Sequence, residues 1–275
     1  MTTLNINEIH TINLKLLQEF DKFCKKHNIK YRLEAGTLIG AMRHHGFIPW
    51  DDDIDVAMRR KEFNKLLEAL KNDSIGSDFV LKKFSDYNDN NHFHDFINRI
   101  YYTGVIYRDG EIEKTRFDGM FQYLWLDIFI LDNIESKHEK FVYFIYKIIY
   151  ALALGHRYHD YKKRGNTIEK IIAFFMGLIG KLIPMKTLYN WQEKLCTIDK
   201  NKDTEKSFYS SYPMPWIGYV SNNKDEEEII YTKFENIELP IIKKSHELLT
   251  YLYGDYMTLP KEEERTPSHI EYFSH

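Results

Sequence analysis

Residues 31–60, YRLEAGTLIGAMRHHGFIPWDDDIDVAMRR, decide how the rest of this sequence is interpreted. A glycine turn at Gly36 and Thr37 precedes an acidic run, which passes directly into the apolar residues 56–58. Carboxylates this close repel one another, and burial among apolar side chains disfavours their charged forms further. A cation must therefore compensate, unless the carboxylates share a proton, and we predict a divalent metal ion. The acidic side chains are Asp51, Asp52, Asp53 and Asp55.

A strand over residues 53–58 would point alternate side chains to opposite faces of a sheet. Asp53 and Asp55 then share one face and can converge on Mg²⁺ or Mn²⁺, which prefer oxygen ligands. Asp51 shares that face only if the strand begins earlier, and Asp52 is expected to point away. Carboxylates beside a glycine turn suit metal-assisted phosphoryl transfer, because the turn's N–H groups can hold phosphate oxygens. Neither feature is specific by itself, since acidic pairs also occur on solvated edges and at helix N-termini.

Hydrophobic periodicity predicts an α+β protein, with a mixed sheet flanked by helices. In the first half of the chain we expect helices over 5–27, 38–43 and 60–71, the second of them capped by Thr37. Strands are expected over 31–34, 53–58, 79–84, 96–108 and 123–129. Residues 207–223 are expected to form turns, and a last helix is expected over 243–253. The predicted units are a core (1–135), a helical subdomain (136–205) and a C-terminal segment packing back on the core (206–275).

The helical subdomain contains apolar helices expected over 140–154 and 168–183, followed by a third helix over 186–199. Lysines interrupt or closely flank the first two, so neither is an unbroken apolar run of membrane-spanning length. We predict that both pack in a core. Peripheral contact with a membrane surface is the alternative, and it gains from the basic residues Lys162, Lys163 and Arg164 between them.

Composition excludes some classes of function. The chain has 38 basic and 41 acidic residues, a formal net charge of -3, which argues against a nucleic-acid partner. Two cysteines, Cys24 and Cys196, are too few for a disulfide framework and fit a reducing compartment. The first ten residues lack the basic-then-apolar plan of a signal peptide. We therefore expect a cytoplasmic protein, either free or at the inner face of the membrane.

Three separated motifs resemble the LicD family of phosphocholine transferases, whose fold is similar to that of nucleotidyltransferases. They are residues 36–58 (GTLIGAMRHHGFIPWDDDIDVAM), residues 126–132 (LDIFILD) and residues 253–257 (YGDYM) with Pro260 and Arg265 behind it. One departure is Ile130, where the family commonly has proline. The resemblance implies transfer of phosphocholine from CDP-choline to a sugar hydroxyl, with release of CMP. The acceptor would be a glycan precursor, expected to be lipid-linked, of the teichoic acid or lipopolysaccharide type.

The resemblance also suggests roles for individual residues. Asp53 and Asp55 would bind Mg²⁺ (or Mn²⁺), and Asp127 would be a third ligand or the catalytic base. Choline needs aromatic faces, because its ammonium forms no hydrogen bond. Trp50 and Trp125 are the choline candidates, ahead of Tyr101, Tyr102 and Trp216, although each could belong to the core. The phosphate-binding candidates are Gly36, Thr37, Arg43 and Arg99, and the candidates for a lid over the site are Arg265 and His269. Both Arg43 and Arg99 could instead be ordinary surface arginines.

Two alternatives remain open from the sequence. The enzyme could use another activated donor, such as CDP-ribitol or CDP-glycerol, or could transfer a nucleotidyl group. A module that binds a nucleotide or a glycan without catalysis is the other alternative. An acidic cluster that is costly to bury would bring such a module little advantage.

Overall fold

The computed structural model describes residues 4–88, 92–157, 167–212, 216 and 218–267. Within these residues, a mixed sheet is flanked by helices, so the predicted α+β class is confirmed. The helices are α1 (Ile6–Lys26), α2 (Ala35–His44), α3 (Arg60–Ala69), α4 (Glu111–Thr115), α5 (Glu139–Ala153), α6 (Thr167–Gly180), α7 (Met185–Cys196), α8 (Asn223–Glu227) and α9 (Ser245–Tyr253). The strands are β1 (Arg32–Leu33), β2 (Ile54–Arg59), β3 (Phe79–Lys82), β4 (Asn98–Ile106), β5 (Tyr123–Ile134), β6 (Lys206–Tyr209), β7 (Val220–Asn222), β8 (Ile229–Phe234) and β9 (Ile237–Ile242).

The long strand β5 organises the sheet. Strand β2 runs parallel to it along one edge, and β1 pairs antiparallel with β2. The other edge of β5 pairs first with β4 and then, near its end, with β6. Strands β3 and β7 extend the sheet antiparallel to β4 and β6. The sequence indicated none of β6, β7, β8 or β9, and two short strands lie at the ends of the stretch 207–223, which was predicted to be rich in turns. These two strands have only four and three residues.

The first turn of α2 begins earlier than predicted. Glu34 occupies the N-cap position and Ala35 starts the helix, so the prediction that Thr37 caps it is wrong. Thr37 lies inside the helix, where its hydroxyl accepts a hydrogen bond from the backbone N–H of Asp55 at 2.8 Å. This bond ties the start of β2 to α2.

The C-terminal segment is joined to the core by a buried charge network. Arg32 on β1 is 3% exposed, contacts Glu34, and its Nε donates to Glu226 at 2.8 Å. The hydroxyl of Tyr209 on β6 donates to the same Glu226 at 3.2 Å, and that of Tyr212 donates to Glu34. A buried charge without a partner would strongly destabilise the fold, and Glu226 and Tyr209 add to Glu34 in satisfying Arg32.

The apolar helices of the helical region differ in burial. Helix α5 buries side chains such as Tyr146 and Ile149, as predicted for a core helix. Helix α6 leaves several large apolar side chains exposed, so the prediction that it packs in a core is wrong for that face. No helix in the described part of the chain is long and apolar enough to cross a membrane. The basic residues 162–164 lie outside the described residues.

The thiols of Cys24 and Cys196 are both buried. Burial raises the pKa of each thiol above its usual range, which disfavours the thiolate. Both therefore behave as core side chains, as the composition suggested.

Candidate active site

A row of charged side chains crosses the centre of the sheet on one face. Asp55 on β2 is in register with Asp127 on β5, and Asp127 is in register with Arg99 on β4. Glu34, one residue beyond β1, continues the row, because its backbone N–H donates to the carbonyl oxygen of Asp55 at 3.0 Å. All four side chains are buried, with at most 6% of their surface exposed. The pairing of four chain segments therefore builds the row.

Three carboxylates converge as the sequence predicted. Asp53, Asp55 and Asp127 each offer an oxygen, and these oxygens lie within 4.8 Å of one another. Burial raises the pKa of Asp55 well above its usual range, and the charges of Asp53, Asp127, Asp51 and Glu34 raise it further. The raised pKa of Asp55 shows that the cluster disfavours a further negative charge, which a divalent cation would offset. The residues fit the predicted Mg²⁺ or Mn²⁺.

Arg99 orients Asp127 from within the protein. Its Nε lies 2.8 Å from Asp127 Oδ1, and its Nη2 lies 2.6 Å from Asp95 Oδ2. Burial alone would lower the pKa of Arg99, but the two carboxylates raise it well above its usual range. Arg99 is 2% exposed, so the alternative that it is an ordinary surface arginine is wrong. Its guanidinium is already shared between these carboxylates.

Gly36 lies directly beneath the carboxylates. A Cβ at this position would overlap Asp51 Oδ2 and would lie 3.6 Å from Asp55 Oδ2. The absent side chain therefore leaves a small cradle between α2 and the acidic run. A Cβ on Gly36 would meet oxygens of both Asp51 and Asp55, so these two side chains lie on the same side. The sequence had left the direction of Asp51 undecided. Thr37 is buried, and its hydroxyl binds the backbone of Asp55.

Asp52 has different partners. The hydroxyl of Tyr107 donates to its Oδ2 at 3.1 Å, and Arg108 Nη2 lies 3.4 Å from the same oxygen. Asn13 on α1 donates to its backbone carbonyl at 3.1 Å. These contacts anchor the acidic run to α1 and to the segment after β4. An oxygen of Asp52 nevertheless lies within 4.8 Å of oxygens of Asp51 and Asp53, so Asp52 is not turned away from its two sequence neighbours as predicted.

Two arginines flank Trp50. The guanidinium carbons of Arg43 and Arg265 lie 6.0 Å and 5.6 Å from the centre of its ring. Arg43 Nη1 donates to the carbonyl of Tyr256 at 2.6 Å, and Arg265 Nε donates to that of Pro260 at 2.9 Å. Burial and the charge of Arg265 lower the pKa of Arg43, as expected of neighbouring like charges.

The arrangement of Arg43 and Arg265 beside Trp50 gives the C-terminal motif a structural role. Its backbone carbonyls hold one arginine from α2 and one from the tail against the same tryptophan, and such a pair favours an anion. The ring that was predicted to face choline therefore has protein cations nearby. His269, the other candidate for a lid, lies outside the described residues.

The second predicted choline residue, Trp125, is 3% exposed and belongs to an aromatic cluster on the face of Asp127. Its ring stacks on Phe121, with 5.3 Å between ring centres. The guanidinium carbons of Arg99 and Arg108 lie 5.4 Å and 5.3 Å from its centre. Trp125 therefore supports the buried arginines. The structure does not bring Trp50 and Trp125 together as two walls of one open cage.

A partly exposed aromatic pair includes Tyr253, which is close enough to the carboxylates for their charges to act on its hydroxyl. Trp216 and Tyr253 have ring centres 5.4 Å apart, and the indole N–H of Trp216 donates to the carbonyl of Leu252 at 2.9 Å. Burial raises the pKa of Tyr253 well above its usual range, and the carboxylates around it add to the rise. Those carboxylates are Glu34, Asp55, Asp51 and Asp53. The sequence named Trp216 only as a weaker candidate and missed Tyr253, although it lies in the C-terminal motif.

Another grouping of possible metal ligands already has cations nearby. Glu135, His138 and Asp199 lie close together, but Lys202 Nζ contacts Glu135 and lies 3.2 Å from Asp199 Oδ1. Lys137 Nζ lies 3.1 Å from Glu135. These lysines supply the positive charge that a metal ion would otherwise bring. The grouping therefore acts as an ion-pair network between β5 and the end of α7.

A cavity of about 520 Å³ lies between α5 and β6, β7 and α9. Its lining includes Tyr146, Tyr219 and Tyr251, and it shares Trp216 with the aromatic pair. None of the clustered carboxylates lines it. The cavity is therefore distinct from the carboxylate cradle.

Comparison with known proteins agrees with this arrangement. The family described as LicD/FKTN/FKRP, nucleotidyltransferase domain, matches residues 28–144. Lipopolysaccharide cholinephosphotransferase LicD of Haemophilus influenzae is 32% identical over 285 residues, with 98% of each chain covered. Ribitol 5-phosphate transferase FKRP of Mus musculus is 35% identical over 78 residues, 24% of this chain and 16% of FKRP. The fold and site thus define a protein with a nucleotidyltransferase domain. Within that class the chain belongs to the LicD family, and the resemblance of its motifs is confirmed.

Proposed function

We propose that this protein transfers phosphocholine from CDP-choline to a hydroxyl of a cell-surface glycan precursor and releases CMP. The observation that carries the proposal is the convergence of Asp53, Asp55 and Asp127 in a chain that aligns from end to end with a cholinephosphotransferase. Acidic ligands on neighbouring strands suit phosphoryl transfer, in which catalysis consists mainly of positioning and charge stabilisation.

The three carboxylates would hold Mg²⁺, with Asp51 beside them. When bound, the ion would offset negative charge on the diphosphate of the donor. The ion pair with Arg99 fixes the orientation of Asp127, which favours a ligand role for Asp127 over that of a base. Arg43 and Arg265 would hold phosphate oxygens and stabilise CMP as it leaves.

The reaction transfers one group, phosphocholine. The acceptor hydroxyl oxygen attacks the phosphorus of phosphocholine, and the bond from that phosphorus to the oxygen of CMP breaks. The hydroxyl proton passes to a carboxylate of the site or to water, and CMP leaves with the electron pair of the broken bond. The small cradle above Gly36 supplies room for phosphate oxygens beside the carboxylates.

For the choline group we propose Trp216 and Tyr253 in place of Trp50 and Trp125. A quaternary ammonium is bound by aromatic faces, and nearby carboxylates strengthen the attraction. Trp216 and Tyr253 combine both features, whereas arginine guanidinium groups lie near the rings of Trp50 and Trp125.

Transfer of ribitol phosphate is the second candidate function. The similarity to FKRP supports it, since that protein is a ribitol 5-phosphate transferase, but the match covers only 78 residues. A ribitol group has hydroxyls and no positive charge, so it would gain little from the aromatic pair.

A donor screen tests the proposal. Purified protein is incubated with Mg²⁺, a glycan acceptor and CDP-choline, CDP-ribitol or CDP-glycerol, and CMP release is measured. We expect release from CDP-choline, arrest by a chelator and recovery with Mg²⁺. Asp127→Asn should abolish turnover, while Asp225→Asn, which alters a surface ion pair with Lys244, should not. CMP release from CDP-ribitol or CDP-glycerol alone would reject phosphocholine transfer.

The choline contact has its own test. Trp216→Leu should raise KM for CDP-choline about tenfold, the loss expected for one cation–π contact. It should leave the inhibition constant Ki of CDP, measured as a competitive inhibitor, unchanged. Equal losses for both ligands would show that Trp216 does not recognise the choline group.

A further inference from the structure

Helix α6 packs in an unusual way, with its small residues inward and its large apolar residues outward. A Cβ on Gly180 would overlap the backbone of Leu152, and one on Gly155 would overlap the backbone of Gly177. The absence of these side chains lets the backbone of α6 lie directly on the end of α5. Among the side chains of α6 that the structure describes, that of Met176 is partly buried against the core.

The outward face carries a continuous apolar stripe. Its residues recur at intervals of three and four, which places them on one side of the helix. Each has 47% to 83% of its surface exposed. An apolar stripe of this size is uncommon on a monomer surface and marks a docking site. The residues are Ile171, Phe174, Phe175, Leu178, Ile179 and Leu182.

The charge of the surrounding sequence identifies the partner. Residues 161–192 contain six basic residues and one acidic residue, although the whole chain has a formal net charge of -3. A second copy of this chain would bring two such basic segments together, and like charges would oppose that contact. An anionic lipid surface instead offers an apolar interior beneath negative headgroups.

We propose that α6 docks the protein on an anionic membrane surface, with its apolar stripe inserted at the boundary between headgroups and acyl chains. The helix has 14 residues, a length of about 21 Å, and lies in the plane of the membrane. Lys181 lies between Ile179 and Leu182, and Lys186 follows Leu182. Both are exposed and contact the headgroups. This docking is independent of the proposed donor.

Vesicle co-flotation tests the proposal. The full-length protein is mixed, without donor or metal, with phosphatidylcholine vesicles that contain either no anionic lipid or roughly 30% phosphatidylglycerol. We expect binding to the anionic vesicles, weakened by salt, and at least about tenfold weaker binding to the neutral ones. Phe174→Glu/Phe175→Glu should reduce anionic binding at least about tenfold as well.

Ile230→Glu/Tyr231→Glu is the matched control, because these two β8 side chains are 44% and 56% exposed and lie outside the stripe. It should bind vesicles like the parent protein, and both double variants should keep the parent's circular dichroism spectrum. Absence of vesicle binding, equal loss in both double variants, or equal binding to neutral vesicles would overturn the proposal. So would a dimer of the parent protein that Phe174→Glu/Phe175→Glu converts to a monomer.

Discussion

Replacing Gly36 by alanine tests the carboxylate cradle with one added methyl group. The new Cβ would lie much closer to Asp51 Oδ2 than 3.0 Å, a separation below which Cβ contacts are essentially never seen. The clashing atom belongs to the flexible end of the Asp51 side chain. To regain ordinary contact, this carboxylate must move by about 1 Å, and such a misplacement in an active site typically reduces the rate about a hundredfold. Asp55 Oδ2, at 3.6 Å, is in ordinary contact and stays in place.

The fold should tolerate this change. Gly36 lies in a helix without a positive φ, where alanine is favoured over glycine by roughly 0.5–1 kcal/mol, and this offsets part of the contact strain. We therefore expect Gly36→Ala to release CMP about a hundredfold more slowly and to bind Mg²⁺ more weakly by calorimetry. Its free energy of unfolding in urea should change by less than about 1 kcal/mol.

Gly110→Ala is a matched control, because its Cβ would likewise meet a carboxylate, that of Glu113, away from the clustered aspartates. It should keep the activity and Mg²⁺ affinity of the parent. Unchanged turnover and Mg²⁺ affinity in Gly36→Ala would refute the reasoning that Asp51 and the cradle belong to the active site. A loss of activity that only follows global unfolding would refute it as well.

Three further predictions concern charge. Burial and neighbouring carboxylates raise the Asp55 pKa above 3.8 in the folded state, so its ionisation destabilises the metal-free fold as pH rises above that value. Asp55→Asn should thus be more stable than the metal-free parent near pH 8, and this advantage should shrink toward about pH 4 in urea titrations. Arg99→Met leaves two buried carboxylates without their shared cation and should lower the free energy of unfolding by about 3–5 kcal/mol. Arg43→Ala and Arg265→Ala should each raise KM for the donor roughly 10- to 100-fold, with stability little changed, as measured by CMP release and thermal unfolding.

Each of these has an outcome that would contradict it. A stability difference for Asp55→Asn that stays constant with pH would show that its carboxyl does not titrate abnormally. Arg99→Met has an exposed counterpart in Lys25→Met, which breaks a surface pair with Asp21 and should cost less than about 1 kcal/mol. Equal losses for the two would place Arg99 outside the buried network. An unchanged donor KM in both Arg43→Ala and Arg265→Ala would exclude the anion site beside Trp50.

The sequence predicted those parts of the site that depend on local pattern. The pattern of the acidic run was enough to pair Asp53 with Asp55, although Asp53 lies just before β2. It did not separate Asp52, which has an oxygen within 4.8 Å of oxygens of Asp51 and Asp53. Asp127 required the family resemblance, because no local pattern shows which strands become neighbours. The burial of Arg99 depends on the register between β4 and β5, so its sequence neighbours gave no sign of the ion pairs it makes.

The aromatic residues show the same limit. Trp50 precedes Asp51 in the sequence, which made it the first choline candidate. The arginines that flank its ring come from α2 and from the tail, more than 200 residues apart. Trp216 and Tyr253 lie well apart in the sequence and come together only when the C-terminal segment itself folds. Strands β6 and β7 were missed because they have only four and three residues. Strands β8 and β9 form a local hairpin with each other, so their signal was present in the sequence and was overlooked.

The parallel register of β2 and β5 has a consequence for how the chain reaches its native state. A slip of one residue between these strands would turn Asp127 to the opposite face of the sheet, away from Asp55. Only the correctly aligned chain could then gather three carboxylates around one ion. A ligand stabilises the state that binds it by an amount that grows with its concentration relative to Kd. The proposed binding of Mg²⁺ would therefore stabilise the sheet with correct register relative to sheets with a shifted register, before any donor is bound.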